Sequence, residues 1–130
     1  MEKKYTSDFI TELQDNEIFV FGSNLEGRHF GGAAFLAWKK FGAELGNGVG
    51  IQGKSYAIPT MFETADEIKP YVDDFIKYAG EHKDKVFLVT KIGMGIAGFA
   101  IDEIAPMFKE CAEMENVTLP KEFFDFYFAK

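Results

Sequence analysis

The apolar run from Val86 to Val89 limits the folds open to this chain more than any other feature. No polar residue alternates with the apolar ones in "VFLVT", which is typical of a parallel strand covered on both faces. A second run, "EIFVF" at 17–21, is rich in β-branched and aromatic residues and ends at the turn signal "GSN". Both runs therefore predict buried strands, and parallel strands need crossover connections between them.

Helical periodicity fills the stretches between the apolar runs. The clearest case is residues 68–79, where apolar residues recur at helical spacing and charged ones lie opposite. Residues 32–41 and the segment after residue 100 predict two more helices, and "SYAIPT" and "NVTLP" predict two more strands. The inward positions predicted for the first and last of these helices are Ala33, Leu36, Ala37, Phe41, Ile104, Phe108, Cys111 and Ala112.

Strands that alternate with helices predict an α/β fold, with a mainly parallel, mixed sheet between two helical layers (a three-layer α/β/α arrangement). We expect one domain over residues 1–130. In such a fold the strand-to-helix loops collect along one edge of the sheet, where ligands bind. The residues before Glu17 are predicted to be a lead-in without a strand, and residues 42–53 to be irregular. The tail "EFFDFYFAK" alternates too loosely for an assignment.

Composition excludes several classes of function. The net charge of −7 argues against nonspecific binding to nucleic acid, which needs a basic surface. No run approaches the length of a membrane span, and the N-terminus lacks the apolar region of a signal peptide, so a cytoplasmic protein is expected. The single cysteine, Cys111, allows no intrachain disulfide and gives no zinc signature. No metal or cofactor is expected.

The glycines are concentrated in a few places. Twelve of the thirteen lie at 22–32, 42–53 or 93–98. Any single glycine is explained most simply by a turn or by close packing. The first and third clusters, however, fall directly between a predicted strand and the following helix, where backbone amides and a helix N-terminus form an anion site. Together these two clusters predict phosphate-binding loops.

Two familiar nucleotide-binding patterns occur but lack the required context. Residues 93–98 fit G-x-G-x-x-G, yet too little chain follows to build a doubly wound nucleotide domain. "GVGIQGKS" at 48–55 fits the P-loop pattern letter for letter. A P-loop leaves a strand and enters a helix, whereas this segment leaves a loop and enters a predicted strand. We therefore reject both interpretations.

Three segments resemble motifs of the macro domains, an ADP-ribose-binding α/β family. They are "FVFGSN" with Asn24, "FGGAAFLA" with Gly31 and Gly32, and "VFLVTKIGMGIAGFAIDEIAPMF", in which Phe99 stands where the family has an aromatic residue. The resemblance covers roughly residues 17–120. It implies an ADP-ribose-like ligand with its phosphates on the amides of residues 93–99 and its distal ribose near Asn24, Gly31 and Gly32.

The chain departs from the family's pattern at its N-terminus, which concerns recognition of the adenine base, and in the loop after Asn24. Macro domains usually begin with additional strands and an aspartate that recognises adenine, and too few residues precede Glu17 to supply all of them. The loop after Asn24 also inserts Arg28 and His29. The resemblance is therefore to a compact, divergent member of the family.

The candidate site residues follow from the glycine clusters and the resemblance. Asn24 and His29 are the candidates for catalysis, since hydrolysis of an ADP-ribosyl bond needs a positioned water and a polar group near the distal ribose. Asn24 is equally explained as a turn residue, and His29 as a structural or ligand-contacting residue. Phe21, Phe30 and Phe99, near loop ends, suggest an aromatic platform. The predicted ligand-binding residues are Gly22, Ser23, Asn24, Arg28, Gly31, Gly32, Lys91, Gly93, Met94, Gly95, Ile96, Ala97, Gly98 and Phe99.

Two hypotheses of different classes result. In the first, the domain is a binding module or a hydrolase for ADP-ribose or a related nucleotide diphosphate. In the second, it is a non-catalytic interaction protein whose glycine loops serve packing only. Its aromatic C-terminus, Phe123 to Phe128, would then dock on a partner or on a second copy of the chain as a homodimer.

Overall fold

A computed structural model describes residues 5–7, 10–94 and 97–128. Its strands are β1 (Tyr5–Thr6), β2 (Glu17–Ser23), β3 (Gly50–Gln52), β4 (Ser55–Pro59), β5 (Val86–Val89) and β6 (Val117–Pro120). Its α-helices are α1 (Gly32–Lys40), α2 (Lys69–Glu81), α3 (Ile101–Ile104) and α4 (Lys121–Phe128). A 3₁₀ segment, Ala65–Ile68, leads into α2, and another, Ala105–Glu113, continues α3.

The six strands form one sheet in the order β1-β6-β5-β2-β4-β3. All neighbouring strands pair in parallel except β3, which runs antiparallel to β4. Strand β2 lies in the centre, where Val20 pairs with Tyr56 of β4 on one side and with Val89 of β5 on the other. The mainly parallel, mixed sheet predicted from the apolar runs is confirmed.

Helices pack against both faces of this sheet because the side chains of β2 alternate between two cores. Ile18 and Val20 point into the larger core, which α2, α3 with its 3₁₀ continuation, and α4 complete. Phe19 and Phe21 point into a smaller core with Ala34 and other residues of α1. The arrangement is the predicted three-layer α/β/α fold, with α1 on one side and the other helices on the opposite side.

Three elements were not predicted from the sequence. Strand β1 has only two residues, too few to show a periodicity, and pairs with β6 in the register Tyr5 to Leu119. Strand β3 lies within the segment expected to be irregular, beginning at Gly50 with a φ of 87°. Strand β3 lies at the edge of the sheet, and within the described residues it pairs only with β4. The unassigned tail forms helix α4.

The aromatic residues of α4 belong to the chain's own core. Phe123 and Phe124 are buried, and the hydroxyl of Tyr127 donates a hydrogen bond to the carbonyl of Ala105. The expectation that these phenylalanines dock on a partner is therefore wrong for Phe123 and Phe124. Phe126 remains partly exposed. Cys111 is buried in the same core, as predicted.

None of the helices in the described residues combines the length and the apolar character needed to cross a membrane.

Candidate functional site

The loops that follow β2 and β5 begin at the same edge of the sheet. These two strands pair directly and in parallel, so their carboxyl ends are adjacent. A Cβ atom built on Gly22, at the end of β2, would lie 3.6 Å from the backbone nitrogen of Gly93 in the loop after β5. The first and third glycine clusters therefore meet, as expected for strand-to-helix loops that collect along one edge of the sheet.

A cavity of about 400 Å³ lies at the same edge of the sheet, lined by Gly32 at the start of α1 and by Lys91 in the loop after β5. It is large enough for part of a small-molecule ligand, since such pockets typically measure about 300–1,000 Å³. The helix α1 contributes its first turn, and the ends of three neighbouring strands contribute the opposite wall. The lining residues include Thr6, Gly32, Ala33, Leu36, Thr90 and Lys91.

The N-terminus of α1 leaves several donors uncommitted. Gly31, the N-cap, has an extended backbone and no side-chain cap, and no acidic residue lies in the first turn. The amides of Gly32, Ala33 and Ala34 have no hydrogen-bond partner among the described residues. Free amides and the positive end of the helix dipole at this point favour an anion.

The loop between β5 and α3 uses some of its amides internally. The amide of Met94 bonds to the carbonyl of Lys91 at 3.3 Å, and that of Phe99 to the carbonyl of Gly93 at 2.9 Å. Within the described part of the chain, the amides of Gly93, Ala97 and Gly98 have no partner. Gly95 and Ile96, also predicted to bind phosphate, lie outside the described residues. Of the seven backbone amides at 93–99 that were predicted to bind phosphate, five belong to described residues. Two of these five, those of Met94 and Phe99, already donate hydrogen bonds within the loop.

Lys91 connects the same loop to helix α4. Its ammonium group lies 2.6 Å from a carboxylate oxygen of Glu122. The hydrogen bond from Lys91 is the main reason why the pKa of the Glu122 carboxyl is below its usual value. Both side chains are partly exposed, so the pair fixes the position of the loop more than it adds stability.

Asn24 closes the loop that follows β2. Its side-chain oxygen accepts a hydrogen bond from the amide of Arg28 at 2.8 Å, and its side-chain nitrogen donates to the carbonyl of Arg28 at 3.1 Å. The amide of Gly27 also bonds to the carbonyl of Asn24. Asn24 therefore holds the loop in shape, while Arg28 itself is exposed.

His29 lies beneath the same loop and is fully buried. Its Nε2 atom is 3.0 Å from the carbonyl oxygen of Asn47, and because a carbonyl only accepts, Nε2 carries the hydrogen. Its Nδ1 atom is buried without a hydrogen-bond partner. The ring packs edge to face on Phe21 at 5.3 Å between centroids. His29 thereby ties the loop after β2 to the segment around Asn47.

Residues 24–29 and 44–49, which we call the loop pair, pack main chain against main chain. The amide of Gly46 bonds to the carbonyl of Gly27. A Cβ atom on Gly27 would lie 2.2 Å from the nitrogen of Asn47, and one on Gly48 would lie 1.8 Å from the carbonyl oxygen of Asn24. The hydroxyl of Ser23 donates to the carbonyl of Gly48. Glycines of the second cluster, at 42–53, thus allow its main chain to pack directly against the loop after β2.

Residues 48–55 do not form a P-loop, as expected from their sequence context. The segment runs from the loop pair through β3 into β4, and Gly53 has a φ of 60° in the turn between these two strands. No helix follows β3 directly, so the geometry that a P-loop requires is not formed.

The three phenylalanines that suggested an aromatic platform have different environments. Phe21 is fully buried, and Phe99 is half-buried against the larger core. Phe30 is 65% exposed. Sequence reasoning missed that Thr6, Thr90 and Leu36 line the cavity, and only the pairing of β1 with β6 could have indicated Thr6.

Across residues 5–7, 10–94 and 97–128, no group of three or more histidine, cysteine, aspartate or glutamate side chains is placed to hold a metal ion. Comparison of the chain with protein-family models, with curated proteins and with solved structures finds no match in any of the three.

Proposed function

We propose that the chain binds ADP-ribose, or a related nucleotide diphosphate, where the loop after β2 meets the loop after β5. The observation that carries this proposal is the set of uncommitted amides beside the cavity. Gly32 and Ala33, which line the cavity, contribute from one loop; Ala34 and Gly93 are buried and do not line it, and none of the four amides has a partner among the described residues. A pyrophosphate is the ligand group that such a set of donors suits.

The charge distribution agrees with an anion bound by backbone groups. The chain carries a net charge of −7, so its overall field does not attract anions. A phosphate site in such a protein depends on local donors, and the first turn of α1 supplies them without a carboxylate in that turn. Lys91, at the wall of the cavity, is already paired with Glu122, so the proposed site depends on backbone donors.

The order of the elements supports the resemblance to macro domains. Strand β2 ends beside Asn24, a glycine-rich loop leads into the alanine-rich helix α1, and β4, α2, β5 and the third glycine cluster follow. This is the succession that the resemblance implies. ADP-ribose is therefore the first ligand to test.

Binding is better supported than hydrolysis. Asn24 makes its two side-chain hydrogen bonds within its own loop, and His29 is enclosed and bonded to Asn47. A role for either residue in breaking an ADP-ribosyl bond stays a prediction. Turnover of an ADP-ribosylated protein and of small ADP-ribose esters tests it, and equal rates in wild type, Asn24→Ala and His29→Ala would remove both residues from the mechanism.

Isothermal titration with ADP-ribose tests the binding proposal. We expect heat of binding, together with stabilisation of about 2.7 kcal/mol when free ligand is a hundredfold above Kd. Absence of heat and an unchanged melting temperature at millimolar ADP-ribose would refute the proposal. The result would then favour the second hypothesis, in which the glycine loops serve packing only.

A further inference from the structure

Among the described residues, helix α1 covers only part of its face of the sheet. It packs on β2 and β4 in the smaller core. In β5, Phe87 and Val89 point into the larger core, so Val86 and Leu88 point to the side of α1. Neither Val86 nor Leu88 belongs to one of the two cores, and both are only partly buried. The apolar surface of β5 on this side is therefore left open.

A groove of about 950 Å³ lies over this open surface. Its lining includes Val86 and Leu88, together with Thr118 of β6, which pairs with Leu88. The hydroxyl of Thr118 is already hydrogen-bonded to that of Thr6 at 2.7 Å. Most of the remaining lining comes from the connection between β1 and β2 and from the segment 112–115 before β6. The floor of the groove thus offers mainly apolar surface.

The charged residues that line this groove, which we call the acidic groove, all carry the same sign. They are Glu12, Glu17, Glu113 and Glu115, and none of the described lining residues is a lysine, an arginine or a histidine. Within the described part of the chain, none of the four carboxylates forms an ion pair. Lys40 and Lys54 bond instead to the backbone carbonyls of Thr11 and Gln14 and do not line the groove. The negative charge of the groove is therefore left unbalanced.

The size of the acidic groove matches a short helix. A helix about 10 Å across has a cross-section of about 80 Å², so a volume of 950 Å³ corresponds to about 12 Å of helix, or roughly two turns. Such a helix would lie on the same face of the sheet as α1 and would complete that layer of the fold. An amphipathic helix that places its apolar stripe on an apolar floor is a common mode of recognition.

The charge of the groove selects the class of partner. Nucleic acids and anionic membrane surfaces are negatively charged, so the four carboxylates would repel both. A second copy of the chain carries a net charge of −7 itself, which opposes self-association. Lysines or arginines beside the apolar stripe of a helix would instead meet the carboxylates that the chain leaves unpaired.

We propose that the acidic groove binds an amphipathic helix of a partner protein, with lysines or arginines beside its apolar stripe. The inference goes beyond the proposed function and does not depend on it. The apolar floor and the four carboxylates do not line the cavity of the candidate site. The residues that line both are Thr6, Ser7, Ile10 and Thr11.

Binding of a designed peptide tests the proposal. The probe is a capped, dye-labelled peptide of about fourteen residues with leucines at helical spacing, lysines beside them and alanines elsewhere. We expect it to bind, and its Kd to rise about tenfold or more from low to high salt, because the charge pairs form at a partly exposed surface. Fluorescence anisotropy measures both values. A peptide with glutamates in place of the lysines should not bind, nor should one whose leucines are spread around the helix.

Reversal of charge in the groove supplies the second test. We expect Glu113→Lys combined with Glu115→Lys to raise the Kd of the lysine peptide about tenfold or more. Glu63→Lys combined with Glu81→Lys is the matched control, since it changes the net charge equally at exposed residues that do not line the groove. This control should raise the Kd about twofold at most.

The apolar floor is tested separately. Val86→Thr keeps the shape of the side chain and adds a hydroxyl where the stripe of the helix would lie. We expect it to weaken binding several-fold at low and at high salt alike, because the loss is one of apolar contact and not of charge. An unchanged Kd would show that the peptide does not reach the floor of the groove.

Other results would overturn the proposal. If the lysine peptide did not bind, or if both double reversals weakened it equally, the groove would not be a docking site for a basic helix. If spermidine bound as tightly as the peptide and displaced it, the occupant would be a small polycation. If the wild-type chain sedimented as a dimer that Glu113→Lys with Glu115→Lys dissociated, the occupant would be a second copy. None of these measurements uses ADP-ribose, so their outcome is distinct from that of the proposed function.

Discussion

The loop pair and the rim formed by the first turn of α1 use glycine in opposite ways. At Gly48 the space of a side chain is already filled, since the carbonyl oxygen of Asn24 lies 1.8 Å from where Cβ would be. At Gly32 nothing lies within 4 Å of that position. Gly48 allows two stretches of main chain to touch, whereas Gly32 leaves the main chain at the start of α1 uncovered.

The polar groups of the two regions differ in the same way. Asn24 and His29 of the loop pair, and Ser23 at the end of β2 beside it, each bond to a backbone group, which commits these side chains to holding the loops together. At the rim, the amides of Gly32 and Ala33 have no partner among the described residues. The loop pair therefore provides rigidity, and the rim provides the donors.

The largest effect expected from this contrast is on stability. Gly48→Ala would force a Cβ atom into the carbonyl of Asn24, and backbone cannot yield as a flexible side chain can. We expect a loss of about 3 kcal/mol or more in the free energy of unfolding, measured by urea denaturation.

Gly46→Ala is the matched control for this prediction. Gly46 belongs to the same loop pair and has nothing within 4 Å of its Cβ position, but its φ is 87°. Only backbone strain opposes this substitution, and we expect it to cost about 1 kcal/mol. If both variants lost the same free energy of unfolding, close packing would not be the reason why residue 48 is a glycine.

A smaller effect is expected at the rim, and it concerns binding. Gly32 has a φ of 58°, a conformation that asparagine and aspartate tolerate better than other side chains. Gly32→Asn and Gly32→Asp should therefore strain the backbone alike. We expect the aspartate to weaken ADP-ribose binding by about tenfold or more relative to the asparagine, because it places a negative charge among the phosphate donors.

Titration calorimetry on both Gly32 variants measures the difference. Equal affinity of the two would place the pyrophosphate away from α1. The aspartate at the helix N-terminus should by itself raise the melting temperature slightly, so a lower melting temperature for Gly32→Asp than for Gly32→Asn would show that more than the local charge has changed.

The parts of the fold that the sequence predicted are those with a strong local pattern. The uninterrupted apolar run of β5 and the periodicity of α2 were sufficient to predict parallel strands with helical crossovers. Parallel pairing then brings the ends of β2 and β5 together, which is why the meeting of Gly22 and Gly93 could be expected.

The parts that the sequence did not predict depend on distant partners. Strand β1 exists only through its pairing with β6, more than a hundred residues along the chain. His29 is buried because the segment around Asn47 covers it, and nothing near His29 in the sequence indicates this. Likewise, glycine clusters look alike whether they pack on main chain or face a cavity, so the loop pair could not be separated from the rim.

The smallest effect is expected on the opposite side of the sheet, at alkaline pH. Burial, the largest cause, raises the pKa of Tyr56 to about 12, and burial also raises the pKa of Tyr127 above its usual range. Between pH 10 and 12 the unfolded chain loses these protons while the folded chain keeps them, so stability falls as pH rises through this range. At neutral pH these groups contribute no pH dependence.

Urea unfolding at pH 8 and pH 11 measures this loss, and Tyr56→Phe should reduce it, since phenylalanine has no proton to lose. The loop pair contains no tyrosine. The cost of Gly48→Ala should therefore be the same at both pH values, as expected for sites without shared partners. If Gly48→Ala lowered the free energy of unfolding much less at pH 11 than at pH 8, the loop pair and the tyrosine side of the sheet would be energetically coupled. The two regions would then not be independent.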